Sequence, residues 1–103
     1  MYVDLGAKRL IIAERSEQKI AVEVKSFLGL SEMQSFCDAV GQFAIYRAVL
    51  RRTYPDFILY LAIRDVIYTS FFEEPIGQIL IEDENLKLII FDAEKEEILQ
   101  WKS

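Results

Sequence analysis

The sequence predicts a mixed α/β fold: a sheet of parallel and antiparallel strands, a core crossover helix and a C-terminal β-hairpin. Three stretches carry that prediction. Lys19 to Lys25, KIAVEVK, alternates with period two, so it is a strand with Ala21, Glu23 and Lys25 on one face and Ile20, Val22 and Val24 on the other. From about Glu32 to about Arg52, Met33, Phe36, Cys37, Val40, Phe43 and Ala44 recur at helical spacing. Phe57 to Ile63, FILYLAI, is a continuous apolar run of strand length, which reads as a strand buried on both faces. A strand reached through a helix crossover is most naturally parallel to its neighbour.

The remaining elements follow in chain order. Met1 to Asp4 ends a strand that turns at Gly6. Leu10 to Ala13 is a short apolar strand, and Arg15 to Gln18 is a polar connector into KIAVEVK, so an antiparallel meander is expected. Ser31 with Gln34 three residues on makes a capping-box start for the long helix. The second half of that helix is apolar on most sides, which predicts that it packs between the sheet and another element. Arg47, Arg51 and Arg52 crowd its C-terminal end, where positive charge suits the helix dipole. Pro55 ends the helix. Asp65 is expected to cap a short helix through Phe72, and Pro75 to start a short helical or irregular segment through Leu80. Glu82 to Asn85 is an acidic turn. Leu86 to Asp92 and Ile98 to Trp101 form the terminal hairpin around Ala93 to Lys95.

Composition narrows the chemistry. A chain of 103 residues suits one domain, residues 1–103, and 52% apolar residues is too many for a disordered chain. The net charge of −5 gives no overall pull toward DNA or acidic membranes, so a nucleic-acid contact must be local or supplied by a partner. The single Cys37 forms no internal disulfide, and no apolar run is long enough to span a bilayer, so a cytoplasmic protein is expected. Histidine is absent, which removes Ser-His-Asp and Cys-His triads and zinc sites built on imidazole. Hydrolysis in this chain has to run on carboxylates, lysine and an oxygen-liganded cation such as Mg2+ or Mn2+.

One constellation meets that requirement. Asp4 precedes Glu23 in a D-x18-E-V-K pattern, and if the preceding strand runs alongside, it is expected to bring Asp4 to the same spot as Glu23 and Lys25. Two carboxylates can hold a divalent cation while a lysine steadies the charge that develops on phosphorus. The blander alternative is a half-buried antiparallel strand with one wet face, which alternates Val and Ile with Glu and Lys in the same way. Gln42 and Tyr46, four apart on the long helix, share a face, and a glutamine among Val40, Phe43, Ala44 and Ile45 needs a partner. A backbone group or water at the helix edge would also serve.

Taken together, Asp4, Glu23-Val24-Lys25 and Gln42-x-x-x-Tyr46 resemble the motif series of the PD-(D/E)xK nuclease superfamily, the restriction-endonuclease-like fold. More narrowly, YVDLGA, IAVEVKSFLG, GQFAIYR, ILYLAI, FFEEPIGQ, KLIIFD and EEILQWKS resemble the XisH family, the fdxN element excision controlling factors of cyanobacteria, over essentially the whole chain. The resemblance implies Asp4 and Glu23 as metal ligands, Lys25 as the catalytic lysine, Gln42 and Tyr46 as a supporting helix motif, and Mg2+ or Mn2+ as cofactor. It implies DNA, an XisI-like companion protein and a site-specific recombinase as partners. It also implies that relatives carry a further helix and first strand before the position of Met1, so sheet surface beside Asp4 is expected to be less covered here.

Two functions follow from different classes: a factor in programmed DNA element excision with a metal-dependent endonuclease-like site, and a non-catalytic interaction module that binds an XisI-like partner. Fold-level analogy does not establish turnover. A homodimer face built from Tyr68, Phe71, Phe72 and Trp101 is a third arrangement, although such aromatics are commonly core in a small domain.

Overall fold

The alternation in KIAVEVK is realised as the third strand of a six-stranded sheet whose spatial order follows the chain. The computed structural model describes residues 2–4, 9–24 and 32–102, with side chains over 10–24 and 33–102. The strands are β1 (Tyr2–Asp4), β2 (Arg9–Arg15), β3 (Gln18–Val24), β4 (Phe57–Arg64), β5 (Leu88–Asp92) and β6 (Glu97–Lys102). β1, β2 and β3 form the antiparallel meander, β4 lies parallel to both β3 and β5, and β5–β6 is the antiparallel terminal hairpin. The β2–β3 turn is tight, and Ser16 and Glu17 both take positive φ, 51° and 68°. That backbone twists in the same sense as the strands it joins, which is why two-residue hairpins use it, although Asn-Gly adopts it with less strain.

Helix α1 (Glu32–Thr53) provides the crossover from β3 to β4. Its apolar stripe, Phe36, Ala39, Phe43 and Leu50, packs on Leu10, Ala21, Leu59, Leu61 and Ile63 of the sheet. The second crossover is made by α2 (Asp65–Ile67), a π-helical segment (Tyr68–Phe72) and α3 (Pro75–Asp83). The wider π turn lets Phe71 and Phe72 both meet Phe36, each with ring centroids 5.2 Å away. Gly77 sits directly against this segment, where a Cβ would collide with the backbone of Phe71 and Phe72. Pro75 occupies the first turn of α3, where its missing N–H costs nothing.

Several expectations are corrected. Asp65 is not the N-cap. Arg64 holds that position, and Asp65 is the first helical residue, its Oδ1 accepting from the Val66 N–H. The stretch through Phe72 is not one regular helix, because the ring packing on Phe36 is met by a π turn. The acidic stretch from Glu82 to Asn85 is only partly a turn, since α3 runs to Asp83 and the chain reverses at Asn85, at φ 54°. β5 starts at Leu88 instead of Leu86. The outer face of α1 is not sandwiched among the described residues: Ile45 is 61% exposed and Met33 and Val49 are also exposed. The capping box falls partly on Ser31, outside the described residues, and Gln34 donates to Asp38 Oδ1 at 2.8 Å.

The sheet face away from α1 carries a second, smaller apolar cluster of Ile20, Tyr60, Ala62 and Ile89, flanked by Val22, Phe91 and Trp101. No helix among the described residues covers it. The face is concave: the Arg15 guanidinium of β2 lies 4.0 Å from the ring centroid of Trp101 on β6, although three strands separate them. At ~4.8 Å per strand that contact is out of reach across a flat sheet. The result is an apolar trough of about 500 Å3.

Candidate functional site

At the C-terminal end of β3 the usual amphipathic order is reversed. Ile20 is buried, Val22 is half-buried, and Val24 is 50% exposed, all on the trough side. Ala21 and Glu23 lie beneath α1, and Glu23 is 2% exposed. Its register partner on β4 is Leu61, which is fully buried. The alternation therefore does not produce a wet face bearing Glu23. A carboxylate has been taken into the core side of the sheet, and it makes a contact there.

The other residues of the constellation are placed as follows. The expectation that the strand carrying Asp4 lies alongside β3 is corrected: Asp4 is the last residue of β1, opposite Arg9 on β2, so β2 runs between, and because Tyr2, Ile11 and Val22 are level the Asp4 position has the strand parity of Val24 and not of Glu23. The Asp4 side chain, and Lys25 altogether, lie outside the described residues. Gln42 and Tyr46 are half-buried on one flank of the buried stripe of α1, and Tyr46 packs against the main core. Among residues whose side chains are described, no group of three or more acidic or cysteine side chains forms a metal-ligand cluster.

By donor chemistry alone, the residue types expected at the site favour one kind of cation. Carboxylate oxygens from Glu23 and Asp4, with no imidazole in the chain, suit a hard ion of the magnesium type and not zinc. The arginines at the end of α1 are more structural. Arg47 donates to the Glu84 carbonyl and lies 5.3 Å over the Phe43 ring, while Arg51 and Arg52 remain exposed in the last turn.

Sequence reasoning missed a second concavity of about 510 Å3 where Arg47 and Arg51 of α1, Phe57 at the start of β4 and Asn85 after α3 meet. It opens at the N-terminal ends of the parallel strands, away from Glu23. Its lining residues come from distant parts of the chain, so no local pattern marks it. The Ile-x-Val-x-Val face of β3 is visible in the sequence, but its alternation reads there as a covered face and not as an open trough.

With this geometry in place, the relatives can be set beside it. The chain matches the family model described as XisH protein over residues 1–99. This chain belongs to the XisH family. Two solved structures share the fold at 42% sequence identity and a TM-score of 0.85: an XisH family protein from Nostoc punctiforme PCC 73102 and an fdxN element excision controlling factor protein from Anabaena variabilis. Each match covers 100% of this chain, with 83% of the Nostoc chain and 82% of the Anabaena chain. No curated protein matches the sequence. XisH membership agrees with the fold: the mixed sheet, crossover helix and C-terminal hairpin are shared with both structures. No helix among the described residues is long and apolar enough to cross a membrane.

Proposed function

We propose that this XisH-family chain acts in programmed excision of a DNA element, and that Glu23, Asp4 and Lys25 form a metal-dependent phosphodiester-cleaving site. The observation that carries the reading is Glu23 at 2% exposure beneath α1. Glu23 is engaged by a contact within the fold, yet a strand with no chemical role would be more stable with an aliphatic residue there than with a buried carboxylate and its partner. The Anabaena relative is described as an fdxN element excision controlling factor, which supports DNA excision as the setting.

In this reading Glu23 and Asp4 hold the cation by carboxylate oxygens. When bound there, Mg2+ or Mn2+ supplies Lewis-acid polarisation of the phosphodiester and a more acidic attacking water. Lys25, two residues beyond Glu23, places an ammonium where negative charge grows on the phosphoryl oxygens. Gln42 and Tyr46 support the site from α1.

A second reading is favoured by the acidic net charge of −5 and the uncovered apolar trough: a non-catalytic module that binds an XisI-like companion. One experiment separates them. Mg2+ is titrated into the purified chain and into Glu23→Gln, followed by a plasmid-nicking assay with and without metal. The nuclease reading expects saturable metal binding and nicking that Glu23→Gln and Lys25→Ala abolish. No metal binding, or DNA binding that is tight, metal-independent and unchanged in Glu23→Gln, assigns the chain to the interaction module.

A further inference from the structure

We propose that β6 is a homodimerisation edge, on which two copies of this chain pair their terminal strands antiparallel about a two-fold axis between Leu99 and Gln100. β6 is the last strand of the sheet, so among the described residues no strand lies against its outer side. It contains no proline, and Ile98 and Leu99 are 53% and 50% exposed. Such a strand presents unpaired N–H and C=O groups to solvent beside apolar side chains, a template for another strand.

The sequence of β6, EILQWK, selects the occupant. Antiparallel pairing about that axis sets Glu97 opposite the partner subunit's Lys102 and Ile98 opposite the partner subunit's Trp101. Directly opposed residues in an antiparallel pair share a face, so both contacts require matching faces. The β5–β6 register supplies the match. A register shift between Ile90 and Phe91 leaves Leu99 as an extra residue, so that Ile98 lies opposite Phe91 and Trp101 opposite Ile89, both on the trough face. Glu97 and Lys102 lie opposite Asp92 and Leu88, on the α1 face. Without that extra residue, positions 98 and 101 would point to opposite faces and the pairing would be inconsistent.

Charge favours the same occupant. Within the chain Glu97 stands opposite a second acid, Asp92, an unfavourable cross-strand pair. The Lys102 ammonium is held on that face, 5.6 Å from the Tyr68 ring centroid. The two-fold brings each Glu97 a base on the same face, twice per dimer. It also joins the troughs of the two copies through Ile98 and Trp101. The interface is isologous, so it closes at two copies and does not grow into a filament. Edge pairing of six residues is small, so the dimer is weak and concentration-dependent.

The test is sedimentation equilibrium of the full chain up to about 0.5 mM, where an interface at the small end of the size range still populates. The single charge reversals Glu97→Lys and Lys102→Glu each weaken dimerisation about tenfold, since two pairs per dimer change sign, and the double swap restores it to within about threefold. Hydrogen exchange on the unmutated protein provides a readout independent of the variants' folding: protection of β6 amides rises with concentration while that of β4 does not. A chain that stays monomeric throughout, reversals that leave the constant unchanged, or a swap that fails to restore it each overturns the proposal.

Discussion

Glu23 lies between Val22 and Val24 in sequence but in a different environment, because β3 turns successive side chains to opposite faces and α1 covers only one of them. Its near-complete burial means that Gln, which keeps the shape and hydrogen-bonding capacity, is the informative replacement. Glu23→Gln is expected to leave the thermal midpoint within a few degrees while removing Mg2+ binding, which differential scanning calorimetry and isothermal titration calorimetry check on the same sample. Two other positions are set by backbone geometry. Replacing Ser16-Glu17 with Asn-Gly suits their positive φ and should stabilise the chain by about 1 kcal/mol, read as a higher urea midpoint at unchanged slope. Gly77→Ala should be strongly destabilising, since a Cβ there meets backbone atoms that cannot move aside cheaply. By contrast Gly41 lies exposed within α1 with open space around it, so Gly41→Ala should gain about 0.5–1 kcal/mol from helix propensity.

At the scale of elements, α1 contributes most to the core. Phe43 is buried between β4 and the body of the helix, and Phe43→Ala should cost about 3–5 kcal/mol, a large share of the stability of a domain this size. Chemical denaturation monitored by circular dichroism measures it. The outward side of the helix behaves differently: Ile45 and Val49 are exposed, so Ile45→Ala should change stability by less than about 0.5 kcal/mol. The π-helical segment and α3 form one unit through Gly77, with Gln78 Nε2 donating back to the Phe72 carbonyl. Losses at Gly77 should therefore appear first as hydrogen exchange in 68–83, before the sheet opens.

For the whole molecule, charge and the open trough set the behaviour in solution. With −5 net charge and two exposed arginines at the end of α1, DNA affinity of the isolated chain should be weak, fall with rising salt, and increase with Mg2+ under the nuclease reading. Fluorescence anisotropy on a duplex across a salt series measures the slope. The uncovered apolar face also limits stability, because surface that is not buried contributes nothing to it. The thermal midpoint of the chain alone is expected below about 65 °C, within the mesophilic range.

Local pattern was enough to determine most of the elements and their order. Period-two and helical spacing are properties of adjacent residues, so β3, α1, the parallel β4 and the terminal hairpin were legible, as was family membership through motifs spread over the chain. What local pattern did not determine was which face of β3 would be covered. The alternation of Ile20, Val22 and Val24 against Ala21 and Glu23 is the same whichever side the helix takes, and only the packing of Phe36, Ala39 and Phe43 onto Ala21 and Leu59 placed Glu23 inside and Val24 outside. The curl that brings Arg15 onto Trp101, the π turn under Phe36 and the extra residue at Leu99 likewise depend on contacts between segments far apart in the chain. Spacing within one segment does not encode them, because their free energy comes from surfaces that meet only once the sheet has formed.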